Sequence, residues 1–450
     1  MNKTERWEPT AAHARATIGG ATIAVGAVLA RRPDLLVLAA PFLVAAVWGA
    51  AQRPRATPTV EQAIGHDVVR EGQATTWRVV VDDPSGRIED VAVRLEPPRW
   101  VELLPSSGQV ACSLRDDGTV LLVLAVRSTR WGQRRVGPAF VVASSAWGAF
   151  RYVHQRGGGR SLLTLPQPSP FDAFAPQPSP FDAFAPPVRS PGLVGLSRSP
   201  RPGNGTEFAG IRPFQPGDRL RRIHWKQSLR TGSLHVTSTW ADHDRHVLLL
   251  ADLLADVGES GGVDGRASSA DLVLRAGAAI AEHYVSAKDR VALVVLGGSD
   301  LRRLPAGSGR RHLRRILDVM ASSEPGTDPF DRGQLPPHLD PGLLVVMLSP
   351  LVSHRSLDRA VVLARRGMSV VVIDCLPPDA AEPDGAHDRA SSVDPYVPLA
   401  WRMRLLERDR EVRRVVEAGI AVVPWRGPGS LDLVLRDLQR QAGGRAGARR

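Results

Sequence analysis

Two long uncharged runs open the hydrophobic pattern, Thr17–Ala30 (TIGGATIAVGAVLA) and Leu35–Gln52 (LLVLAAPFLVAAVWGAAQ), separated by Arg31-Arg32-Pro33-Asp34. A helix needs about 20 apolar residues to cross a hydrocarbon core. The second run nearly reaches that length, and the first does with extension toward Ala11, so residues 1–55 are expected to form a transmembrane helical hairpin. A cleavable signal peptide would leave the second run without a purpose. From Val60 to Val153 the period shortens to two: Thr76–Val81, Val91–Leu95, Gln109–Leu114 and Thr119–Val126 alternate as strands do. Turn signals such as Asp82–Gly86, Pro105–Gly108 and Asp116–Gly118 separate them, and Arg130–Val142 with Trp147–Tyr152 close the set. Residues 56–160 are therefore expected to fold as a small β-sandwich.

From His246 the rhythm becomes strand, helix, strand, helix. Strands are expected at His246–Leu253, Arg290–Leu296, Leu343–Leu348, Ser369–Ile373 and Ile420–Val423, with helices around Ala267–Ala287, Arg310–Met320, Arg355–Arg366, Leu399–Glu417 and Leu431–Gln441. Continuous apolar strands alternating with helices indicate a doubly wound, mainly parallel sheet over residues 241–442, followed by a short basic tail, 443–450. Between the two folded regions, residues 161–200 form a Pro-rich linker in which the decamer PQPSPFDAFA of Pro166–Ala175 repeats as Pro176–Ala185. Such proline density favours an extended chain. A tandem duplication in a tolerant linker is the plainer reading, with docking of Phe171 and Phe181 as the alternative.

Charge refines this layout. The chain carries a net charge of +12 over 450 residues, yet its arginines are scattered and no aromatic-and-basic motif accompanies them. Nucleic acid is not the expected partner; an acidic protein face or an anionic membrane surface is. Lys3, Arg6 and Arg15 precede the hairpin, Arg53 and Arg55 follow it, and only Arg31 and Arg32 occupy its turn, which puts both ends in the cytoplasm. Cys112 and Cys375 are the only cysteines, which excludes a disulfide framework; both are expected to be small buried residues.

The densest run of unusual residues is Gly205–Arg230 (GTEFAGIRPFQPGDRLRRIHWKQSLR), within a segment of residues 201–240. Pro216-Gly217 reads as a turn and Asp218 as the cap of a following helix that ends at Gly232. Leu220, Ile223 and Leu229 would supply its apolar stripe, with Trp225 as anchor; Glu207 with Arg212, and Asp218 with Arg221 or Arg222, are the expected ion pairs. His224 and Ser228 share one helix face, but a His–Ser pair without an orienting third group is a weak catalytic centre, and a charged structural clasp is the favoured reading.

The order Glu207, Phe208, Gly210, Arg212, Phe214, Gly217, Asp218, Arg221, Ile223, Trp225, Arg230 resembles the signature of the domain-of-unknown-function 58 family, departing from it at Leu229, where the family usually has a small residue. The likeness extends to the hairpin, to the Arg130–Pro138 stretch and to a von Willebrand A-like domain after the signature. It implies a bacterial, membrane-tethered, non-enzymatic scaffold that binds protein partners, with a MoxR-type AAA+ ATPase as the implied partner in assembly or cell-envelope processes. A metal-binding A domain would carry Asp-x-Ser-x-Ser after its first strand; here stands Asp252-Leu253-Leu254-Ala255-Asp256, with Ser349 after a later strand. Asp252, Asp256 and Ser349 form at best a degenerate Mg²⁺ site, so no cofactor is expected. A metal-dependent adhesion module facing outward is the alternative, and an enzyme centred on the signature segment the third.

Overall fold

The computed structural model describes residues 6–114, 118–155, 157–168, 197–216, 218–243, 246–297, 302–326, 343–381 and 396–425, with the backbone alone at 197–209, 239–243, 381 and 397. The repeated decamers beyond residue 168, Gly217, the helix expected at Leu431–Gln441 and the basic tail lie outside the described residues. The chain divides into two compact units, Met1–Leu165 and Pro166–Arg450.

In the first unit the apolar runs form α1 (Ala11–Leu29) and α2 (Asp34–Ala51). Thr10 caps α1 by accepting the His13 N–H, and Arg32 pairs with Asp34 at 2.7 Å across the turn. Both helices are long and apolar enough to cross a membrane, and most of their large side chains, such as Val28, Leu29, Val37 and Val47, are exposed. Before and after them lie β1 (Glu8–Pro9), β2 (Thr59–Ile64), β3 (Val68–Arg70), β4 (Ala74–Asp82), β5 (Ile88–Arg94), β6 (Val101–Leu104), β7 (Gln109–Ser113), β8 (Thr119–Ser128), β9 (Gly132–Val136), β10 (Phe140–Ser145), β11 (Phe150–His154) and β12 (Arg160–Leu165). They form sheets ordered β1-β11-β10-β5-β7, β2-β4-β8-β6 and β3-β12-β9.

Alternation explains the packing. Trp77, Val79 and Val81 of β4 and Leu122, Leu124 and Val126 of β8 are buried in one core with Val91, Val93, Val141, Ala143 and Tyr152 from the five-stranded sheet. The closing stretch Arg130–Val142 holds β9 and the start of β10, separated at Gly137-Pro138, and Trp147 lies in a tight turn before β11. Cys112 corrects the expectation of a buried thiol. It is exposed, because β7 is the edge of its sheet.

In the second unit β13 (Ser197–Pro213) pairs antiparallel with β14 (His235–His243). Then follow β15 (His246–Asp252), β16 (Arg290–Leu296), β17 (Arg302–Gly307), β18 (Leu344–Ser349), β19 (Ser369–Asp374) and β20 (Ala421–Pro424), in the sheet order β17-β16-β15-β18-β19-β20. All neighbours are parallel except β17, which pairs antiparallel with β16. The pattern had not marked β17, which carries Arg302, Arg303 and Pro305, and an edge position is where a proline is tolerated in a sheet. Helices α3 (Trp225–Thr231), α4 (Ser269–Ser286), α5 (Arg310–Ala321), α6 (His354–Arg365), α7 (Pro378–Ala381) and α8 (Val397–Glu417) complete the unit. Ser268 and Asp271 close a reciprocal capping box on α4, which fixes where that helix begins.

Candidate functional site

The signature residues sit on a strand, a loop and a short helix. Glu207 and Phe208 lie on β13, Phe208 opposite Thr239 and Gly210 opposite Ser238. Phe214 follows the strand, and its N–H donates to the Leu234 carbonyl at 2.9 Å. The chain then turns back, donating the Asp218 N–H to Gln215 at 3.0 Å, makes one tight turn at Leu220–Arg222 and enters α3. Ile223 bridges to Val236, and the His224 N–H donates to His235 at 2.8 Å, so the loop is stitched to the start of β14.

Asp218 takes Arg212 as its direct partner, with the charge of Arg222, one of its expected partners, adding to its field, while the side chain of Glu207 lies outside the described residues. Arg212 holds Asp218 in a two-pronged contact, 2.7 and 2.6 Å, and Asp218 also accepts the Gln215 N–H at 2.9 Å. The guanidinium contact, and after it the Gln215 N–H, holds the Asp218 carboxyl below the usual aspartate range, and the same contact raises Arg212. Asp218 therefore closes a loop and does not cap α3. That task falls to His224, whose Nδ1 accepts the Gln227 N–H at 3.2 Å. Gly232 ends α3 at φ 69°, as its position predicted.

The apolar stripe faces outward. Leu220, Trp225 and Leu229 are 70%, 63% and 82% exposed, while Ser228 is the buried residue of α3. The reason is local: the Ser228 hydroxyl donates to the His224 carbonyl at 3.0 Å and accepts the His235 N–H at 2.9 Å, so α3 leans on β14 through its hydroxyl side. Arg219, Arg221, Lys226 and Arg230 are exposed on the same short stretch. The result is an apolar surface interleaved with positive charge.

A second cluster lies at the carboxyl ends of β15, β18 and β19. Strand order reverses between β15 and β18, which is where doubly wound folds open a crevice. Here Asp252 fills that position. Its Oδ2 accepts the hydroxyls of Ser349 and Ser356, each at 2.5 Å, and its Oδ1 accepts the Leu254 N–H at 3.0 Å. Ser349 in turn accepts the Leu351 N–H at 2.9 Å. Asp256 does not join them; it accepts the Ala270 N–H at 3.1 Å in the first turn of α4. Of the residues proposed as a degenerate metal set, the fold brings Asp252 and Ser349 together and draws Asp256 away. The oxygens of Asp252 are engaged by the Ser349 and Ser356 hydroxyls and the Leu254 N–H. Among the described residues no group of three or more His, Cys, Asp or Glu side chains is placed to hold a metal.

Next to this cluster, Asp374 pairs with Arg408 of α8 and accepts the Leu376 N–H at 3.1 Å, while Arg408 Nε donates to Pro350 at 3.0 Å. Cys375 is buried; that burial, and then the Asp374 charge, push its thiol well up. Ser356 and Arg408 were not singled out by pattern. A serine early in α6 and an arginine in α8 carry no signal of their own, and only the sheet brings them to Asp252 and Asp374.

Residues 210–386 match the profile of the family described as protein of unknown function DUF58. The uncharacterized protein Rv1480 of Mycobacterium tuberculosis and the uncharacterized protein Mb1516 of Mycobacterium bovis are each 30% identical over 179 residues, which is 39% of this chain and 49% of theirs. The chain thus spans about half the length of the curated relatives it matches. A chain from the solved complex of Zinc 2-glycoprotein with prolactin inducible protein from human seminal plasma is 12% identical, covering 25% of this chain and 99% of that chain; its TM-score of 0.17 carries no argument.

Proposed function

We propose that this chain, whose residues 210–386 match the family described as protein of unknown function DUF58, is a membrane-tethered, non-enzymatic scaffold that docks a protein partner. The hairpin of α1 and α2 is the tether, since its outward side chains would otherwise expose a large apolar surface to water. The β15–β20 unit is a von Willebrand A-like domain, a reading supported by its strand order and by the single antiparallel edge strand. The soluble units face the cytoplasm, where a MoxR-type AAA+ ATPase is the partner.

One observation carries the docking surface: Leu220, Trp225 and Leu229 stand out of the fold beside Arg221, Lys226 and Arg230. Exposed tryptophan next to arginine is the composition of interface hot spots, and the surrounding cations select an acidic rim on the partner. The catalytic reading of the segment has less support, since His224 and Ser228 are engaged in backbone hydrogen bonds that build α3. The adhesion reading has less support too, since Asp252 is closed over by two hydroxyls.

The test uses detergent-solubilised full-length protein and a MoxR-type ATPase from the same cell. Trp225→Ala with Leu229→Ser should weaken binding roughly thirtyfold, the effect of losing about 2 kcal/mol from a hot spot. An unchanged Kd in a folded double variant would overturn this docking surface.

A further inference from the structure

The hairpin does not hang from the sandwich by a free linker; the two are joined at several points. β1 pairs with β11, placing Glu8 opposite Arg151 and Pro9 opposite Phe150. The Thr10 N–H donates to Ala149 at 3.0 Å and its hydroxyl to Gly148 at 2.8 Å. On the other helix, a Cβ added at Gly49 would fall 2.7 Å from that of Ala149. Arg87 donates to the carbonyls of Ala51 and Arg53 at the end of α2, at 2.8 and 3.2 Å. Trp7 lies tilted against Tyr152 with ring centroids 5.6 Å apart and donates its indole N–H to Ala56 at 2.9 Å.

The Thr10 hydroxyl reaches the turn Ala146–Gly148 itself, and the Thr10 N–H and Gly49 meet Ala149 directly after it. Trp147 is held there at φ 54°, a left-handed backbone that a bulky residue adopts only when its surroundings impose it. Its N–H donates to Glu89 Oε2 at 2.7 Å. The indole is nonetheless 64% exposed, so the turn presents the side chain and does not bury it. Its ring lies 6.4 Å from that of Trp48, close to the end of α2, and Trp48 is itself exposed. An 18-residue helix rises about 27 Å, close to the roughly 30 Å of a hydrocarbon core. Trp48 thus falls at headgroup depth when α2 spans, and tryptophan is enriched at that depth. Arg15 and Arg53 supply positive charge at the same end of the hairpin.

We propose that the Ala146–Gly148 turn seats Trp147 in the phospholipid headgroup layer beside Trp48, so that the sandwich rests on the bilayer in a set orientation. The proposal depends on the reading that α1 and α2 cross the membrane. The occupant is the lipid interface itself, with its phosphates next to Arg15 and Arg53.

The experiment uses the full chain carrying Cys112→Ser and Cys375→Ala, reconstituted into phosphatidylcholine–phosphatidylglycerol vesicles. Single cysteines at Trp147, Leu38 and Ser107 receive an environment-sensitive fluorophore. Leu38 lies in α2; Ser107 follows β6, near the pairing of Arg94 with Gln109 at the far end of β5 from the turn. A headgroup spin label should quench the position-147 probe several-fold more than the position-107 probe, and a mid-chain spin label should quench position 38 most. Equal quenching at 147 and 107, with deep quenching at 38, would overturn the seating of Trp147 while leaving the tether intact. Loss of deep quenching at 38 would overturn the membrane span and the proposal with it. Ala146→Cys provides the same readout with Trp147 retained.

Discussion

Single carboxylates decide several local conformations in this protein, and they do so by accepting backbone N–H groups. Asp83 is the clearest case. Its oxygens accept the N–H groups of Ser85, Arg87 and Ile88 and the Ser85 hydroxyl, which builds the turn between β4 and β5. Burial acts to raise its pKa, but these hydrogen bonds, led by the Ser85 hydroxyl, together outweigh it and leave the carboxyl below its ordinary value of 3.8. A folded pKa below the unfolded one stabilises the fold above the ordinary value, and that contribution is lost as pH falls through the depressed value. Asp83→Asn should therefore lower stability at pH 7 by about 1–3 kcal/mol and flatten the decline on the acid side. Thermal midpoints followed from pH 7 to the acid limb check both; parallel curves for the two proteins would refute the role. Arg134 works in the opposite sense, as a donor, reaching the carbonyls of Arg99, Arg130 and Trp131. Burial, and next the Arg130 charge, lower it to about 10 against the pull of Glu71.

At the scale of elements, β15, β18 and β19 end on Asp252, Ser349 and Asp374. The apolar runs were legible because a strand buried on both faces reads as unbroken Val, Leu and Ile. The partners of their last residues were not, since Ser356 and Arg408 arrive from α6 and α8. Asp252→Ala would orphan two buried hydroxyls and the Leu254 N–H, so it should destabilise the unit by at least about 1–3 kcal/mol, the cost of one such group. Urea unfolding of the full chain in detergent measures this, and an unshifted midpoint would show that the cluster contributes nothing. The signature segment teaches the converse lesson. Its apolar spacing looked like a helix face, but a seven-residue α3 held by Ser228 against β14 leaves Leu220, Trp225 and Leu229 outside.

If the hairpin of α1 and α2 spans a membrane as proposed, the question with most consequence for the whole molecule is which side the remaining units occupy. The basic residues at both ends of the hairpin, Arg6 and Arg15 before it and Arg53 and Arg55 after it, outnumber those in the turn and argue for the cytoplasm. Protease added to intact spheroplasts should then spare residues 200–450, and protease added to inverted vesicles should digest them. Digestion from the outside would remove the ATPase as a partner and return attention to an outward-facing role.

Hydrophobic period alone marked two apolar helices, the alternating strands and the buried strands between helices, but neither the β13–β14 pair nor β17. That follows because periods of 2 and 3.6 are local properties of the chain. The signature residues were recognisable by their order for the same reason. Tertiary structure alone decided what each of them does. Arg212 meets Asp218 because β13 and the following loop fold back on β14, His224 caps α3 because the tight turn Leu220–Arg222 delays the start of the helix to Trp225, and Asp256 accepts the Ala270 N–H because α4 begins beside it. A carboxylate binds the nearest donors the fold supplies, and proximity across the fold is not written in spacing along the chain.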